Sequence, residues 1–120
     1  MKRIYYNKLI RDKIPEKIKR NGGDYEIKKL SQRLFEAELL KKVGEEASGL
    51  MSSKTKDELA SELADVIAVI EEIKRLKRIT SKQILKALNE NFDKKGGFNK
   101  RLFLVWSSDT GYKTNERRNK

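Results

Sequence analysis

Apolar residues in this chain recur mainly with helical spacing. From Gln32 to about Met51, the positions Leu39, Val43, Ala47 and Leu50 fall on one face, which predicts a long amphipathic helix. Ser52-Ser53-Lys54 interrupts that pattern. Thr55-Lys56-Asp57-Glu58 then has the spacing of a capping box, and Leu59, Leu63, Val66, Ile70 and Ile73 form the stripe of a second long helix reaching about Arg78. The short connection predicts that the two helices pack antiparallel.

Shorter elements flank this pair. Residues 4–14 mix apolar and basic positions, after which Pro15 suits the first turn of a short helix that Asn21-Gly22-Gly23 would end. Asp24 to Leu30 alternates weakly and reads as extended. Thr80-Ser81-Lys82-Gln83 starts a further helix, with Ile84, Leu85 and Leu88 expected to face inward and Gly96-Gly97 to close it. Leu102 to Trp106 reads as a strand or a buried extended segment, with Trp106 in the core or at an interface. The expected architecture is mainly all-α: a helical bundle in one domain, 1–106, with short extended segments near both ends. A polar, flexible tail, 107–120, would follow.

The acids on the long helices change the picture. At about 100° per residue, Glu46 lies roughly 20° from Leu39, inside the apolar stripe. Glu62 and Asp65 are three residues apart and share a face at the margin of the second stripe. Unpaired carboxylates lose several kcal/mol of solvation in such places, so a cation is their natural partner. A solvated face with ion pairs accounts well for Glu58, Glu71 and Glu72, and poorly for Glu46. The chain has no His and no Cys, which narrows the cation to a hard, oxygen-loving one such as Mg²⁺ or Mn²⁺.

Charge adds a second component. The net charge is +11, yet residues 1–30 and 80–120 each carry ten Lys/Arg against four acids, whereas residues 31–79 carry nine against ten. Basic segments bracketing an acidic middle suit a metal together with a polyphosphate. The same charge leaves open a helical nucleic-acid-binding domain, to which the basic end GYKTNERRNK would contribute. No apolar run approaches the roughly 18 residues of a membrane span, and MKRIYYNKLIRDK lacks an apolar signal core. No membrane partner and a cytoplasmic location are therefore expected; the lack of Cys agrees with this without establishing it. At 120 residues the core would be modest and the bundle thin, so a homo-oligomer pairing long helices, dimer or higher, is expected.

KKVGEEASGL followed by SELADVI resembles the paired helix motifs of the MazG-like all-α nucleotide pyrophosphohydrolases, Glu-Glu-x-x-Glu and then Glu-x-x-Asp. Tyr6-Asn7-Lys8-Leu9-Ile10-Arg11-Asp12-Lys13-Ile14-Pro15 is similar to the N-terminal signature of the small phosphoribosyl-ATP pyrophosphohydrolase-like subfamily. Lys95-Gly96-Gly97-Phe98 with Leu102-Phe103-Leu104 is similar to its closing segment. The likeness covers about residues 4–106. It implies Mg²⁺-dependent attack of water on the α–β phosphoanhydride of a nucleoside triphosphate, or of a phosphoribosyl-ATP-like substrate, giving monophosphate and pyrophosphate. It also implies dimers or higher assemblies.

Carried over by position, Glu46, Glu62 and Asp65 are the expected metal ligands. Glu45 and Glu46 are the expected catalytic acids, with Glu45 a ligand or a base orienting water. Lys8 and Arg11 would hold the polyphosphate, with Asn7 and Asp12 orienting base, ribose or the basic side chains. Lys100 and Arg101 are weaker candidates of the same kind. Two positions depart from the pattern: Gly49 stands where the third Glu of the first motif would be, and Ala68 where subfamily members tend to carry Glu. These departures admit one Mg²⁺ rather than two, slow turnover, or a nucleotide-binding protein without turnover.

Overall fold

The computed structural model describes residues 2–111 and is mainly helical. Its helices are α1 (Ile14–Arg20), α2 (Gln32–Ser48), α3 (Lys56–Lys77) and α4 (Ser81–Lys95), with a 3₁₀ turn at Gly49–Ser52 between α2 and α3. No strand forms among the described residues. Asp24–Leu30 and Leu102–Trp106 therefore have no ladder partner. The end of the chain from Tyr112, which holds most of the expected polar tail and its basic cluster, lies outside the described residues.

The helix boundaries follow from local chemistry. Ser31 caps α2, accepting from the Leu34 amide. The α-helix then ends at Ser48 rather than near Met51. Ser48 Oγ donates to the Glu45 carbonyl at 2.7 Å, and Gly49 opens the tighter turn. Thr55 caps α3 through a bond from the Glu58 amide, 3.1 Å, while the Glu58 carboxylate accepts from the Lys54 amide, 2.7 Å. A Thr55→Ala substitution is expected to lower the unfolding free energy by about 1 kcal/mol in a urea melt. At the far end of α3, Arg78 adopts the left-handed conformation. The Ile79 and Arg78 amides return to Lys74 and Arg75, closing a Schellman turn. Thr80 and Gln83 cap α4 reciprocally, and Gly96 at φ 76 terminates it.

The chain divides into two compact units, Met1–Ile84 and Leu85–Lys120, so the boundary falls within α4. In the first unit α2 and α3 pack against each other. Leu39 and Val69, 5% and 9% exposed, are the buried apolar residues among those described. The half-covered stripe of α3 runs Glu62, Val66, Val69, Ile73 and Leu76, alternating steps of four and three. Leu59, Leu63 and Ile70, expected to face inward, remain exposed beside Ile67. The covered face is thus turned roughly 60° from the expected stripe, toward the acids.

The second unit corrects two expectations. Leu85 and Leu88 do not face inward; both are more than half exposed. Leu102 to Trp106 is neither a strand nor buried, and Trp106 is 79% exposed. The physical reason is shared: no sheet edge or helix face within that unit covers them. No helix among the described residues is long and apolar enough to cross a membrane.

Candidate metal centre

The turn of α3 brings its acids onto the seam with α2. One carboxylate oxygen each from Glu46, Glu62 and Asp65 lies within 4.8 Å of the other two. All three residues are half-buried, Glu46 with 25% of its side chain exposed rather than fully enclosed. Three carboxylates this close repel one another, and solvent at their half-exposed side chains screens that repulsion only in part. Something positive must offset that.

Two side-chain cations do so in part. Lys42, one turn before the acids on α2, has only 15% of its side chain exposed; its Nζ lies 3.5 Å from Glu45 and 3.4 Å from Glu46. The same ammonium donates to the Leu9 carbonyl at 3.1 Å. Arg11 donates to Asp65 Oδ1 at 3.0 Å. Glu62 is different: among the described residues it has neither a hydrogen bond nor an ion pair. A half-buried carboxylate facing two others without a side-chain partner is a position that a further cation would stabilise.

The donor set fits a hard divalent ion. All three candidate ligands are carboxylate oxygens, drawn from two helices, and Mg²⁺ is held by a few carboxylates with water completing its shell. Ligands on helices are also placed more firmly than ligands on loops. Gly49 sits directly beside this group. A Cβ built there would stand 2.6 Å from Glu62 Oε2 and 3.3 Å from its carboxyl carbon. Gly49 has φ −66 and ψ −23, which any residue adopts, so the close approach of Glu62 is what the missing side chain permits.

The remaining candidates are placed as follows. Glu45 is exposed and pairs with Lys42, outside the three-oxygen group. Arg11 stands at the cluster, on Asp65. Lys8 lies over the Tyr6 ring, 5.6 Å from its centroid, and Asn7 has the left-handed φ of 48. Asp12 lines an open depression with Leu9, Lys28, Phe35 and Arg78. Lys100 and Arg101 belong to the second unit.

Lys42 is the residue that motif reasoning passed over. Its signal was present in the spacing, since it precedes Glu45 by three and Glu46 by four on one helix. Lys42→Met is expected to lower the unfolding free energy by about 1–3 kcal/mol, because the Leu9 carbonyl and the Glu45 and Glu46 carboxylates lose a charged, half-buried partner. Chemical denaturation monitored by circular dichroism measures this. Comparison with family models, curated proteins and solved structures finds no match.

Proposed function

We propose that this chain is a Mg²⁺-dependent nucleotide pyrophosphohydrolase, built as a MazG-like bundle around two long antiparallel helices. The observation that carries the proposal is the meeting of Glu46, Glu62 and Asp65 on the α2–α3 seam with Glu62 unpartnered. Mn²⁺ is the natural substitute, since it takes the same oxygen ligands.

Glu46, Glu62 and Asp65 would hold the cation. When bound, Mg²⁺ supplies Lewis acidity at the phosphoryl oxygens and a bound water of lowered pKa. Glu45, exposed next to Glu46, would orient water and accept its proton. Arg11 and Lys8, from the N-terminal segment, would bind phosphate oxygens, Arg11 with bidentate geometry. Water adds its oxygen to one phosphorus of the α–β anhydride, and the bridging oxygen leaves with the other product. Monophosphate and pyrophosphate result.

Self-association belongs to the same proposal. Leu59, Leu63, Ile67 and Ile70 form an uncovered apolar stripe on α3, and a second copy offering the same helix would cover it.

Gly49 favours a second reading, a MazG-like protein that binds a nucleotide without turning it over. The position borders Glu62 and contributes no carboxylate, so the cluster holds three acids. A pyrophosphate-release assay with Mg²⁺ or Mn²⁺ across several nucleoside triphosphates separates the two. Release of pyrophosphate from at least one triphosphate supports the enzyme; tight binding of a triphosphate without release supports the binding protein.

A further inference from the structure

The N-terminal segment crosses the acidic seam and is tied down on both sides of it. On the α2 side, Lys42 Nζ donates to the Leu9 carbonyl, 33 residues away in sequence. On the α3 side, Arg11 Nη2 donates to Asp65 Oδ1, 54 residues away. A single residue, Ile10, therefore separates the anchors to the two helices that carry Glu46, Glu62 and Asp65.

The two anchors differ in kind. Lys42 keeps 15% of its side chain exposed, donates to the Leu9 carbonyl and forms ion pairs with Glu45 and Glu46. Arg11 and Asp65 are 65% and 41% exposed and share one bond. An ion pair that open contributes no more than about fivefold to an equilibrium constant. A divalent cation competing for Asp65 can therefore displace Arg11, while Lys42, even where the cation takes Glu46, keeps the Leu9 carbonyl and Glu45. Once displaced, Arg11 is a free guanidinium held within reach of the cation by the Leu9 anchor.

We propose that residues 9–11 form a strap in which Lys42 is the fixed anchor and Arg11 an exchangeable internal cation. Arg11 balances Asp65 before the divalent ion binds, then leaves it for the phosphoryl anion that accompanies the ion. This rests on the Mg²⁺-site reading and adds an order to it: cation first, Arg11 release, then anion. Arg11 thereby weakens binding of the cation alone and strengthens binding of the anion, a crossed pattern that a purely structural residue does not produce.

The test uses the full chain and the probes Mn²⁺ and pyrophosphate, without any turnover measurement. Mn²⁺ is titrated by the paramagnetic resonance signal of the free ion; pyrophosphate is then titrated calorimetrically into Mn²⁺-saturated protein. Arg11→Gln is expected to bind Mn²⁺ alone about three- to fivefold more tightly than the unaltered chain. The same variant should bind pyrophosphate at least about tenfold more weakly. Lys13→Gln, which removes the same charge two residues away, should change Mn²⁺ affinity by less than about twofold. Equal tightening by both variants, or none by Arg11→Gln, overturns the exchange. Glu62→Gln separates the levels: if Mn²⁺ does not bind, or binds unchanged in Glu62→Gln, the metal-site reading fails and the strap exchange with it. Mn²⁺ binding that needs Glu62 but ignores Arg11 overturns the strap exchange alone.

Discussion

Glu62→Gln is expected to reduce Mg²⁺-dependent pyrophosphate release by about a hundredfold or more, and Asp65→Asn to do the same. Each change is nearly isosteric and removes one of the three carboxylates that meet within 4.8 Å. With the charge gone, repulsion inside the cluster falls. Folding stability should therefore hold or rise slightly while activity collapses. That opposition makes the prediction sharp, since a residue that merely supported the fold would lose both together. Glu62→Gln is the cleaner variant because Glu62 has no hydrogen bond or ion pair to lose among the described residues. Asp65→Asn also gives up its ion pair with Arg11. If either variant retains full release, the carboxylates are not the ligands.

Gly49→Glu is expected to raise Mn²⁺ affinity by about tenfold, because it adds a fourth acid to a group that now holds three. The backbone accepts the change, since φ −66 and ψ −23 are ordinary helical values. The obstacle is Glu62, whose Oε2 would stand 2.6 Å from the new Cβ. That atom is the far end of a flexible side chain, so it can swing aside, and a bound cation gives both carboxylates a common partner. Gly49→Ala is the control. It imposes the same crowding without a ligand, and is expected to leave Mn²⁺ affinity unchanged or lower. Isothermal titration of both variants decides the matter; equal affinities in the two would remove Gly49 from the site.

Much of the fold could be read before the structure because its signals are local. Thr55 with Glu58, Thr80 with Gln83, and the glycines at 96 and 97 mark helix ends within a few residues of themselves. The face that α3 turns toward α2 is not a local property. Apolar residues occupy two adjoining stripes, so periodicity alone averaged them and placed Glu62 and Asp65 at a margin. In the folded chain Glu62 lies in line with Val66 and Val69. Leu102 to Trp106 misled for a related reason. Hydrophobicity states what a segment prefers, and only a neighbour that covers it can bury it.

The site was legible in its acids and incomplete in its cations. Glu46, Glu62 and Asp65 stood out because carboxylates on an apolar stripe need an explanation. Lys42 did not, because a lysine near two glutamates on a helix is ordinary; its half-burial and its hold on Leu9 depend on a segment 33 residues away. The sequence marks Arg11 only as a phosphate ligand, whereas its bond to Asp65 gives that residue a partner at the cluster.

The most direct test of the central claim is phosphorus NMR of a panel of nucleoside triphosphates incubated with the protein and Mg²⁺. Cleavage at the α–β anhydride predicts paired growth of monophosphate and pyrophosphate resonances, abolished by chelation of the metal and in Glu62→Gln. Appearance of diphosphate with orthophosphate, or an unchanged spectrum across every triphosphate, would contradict it.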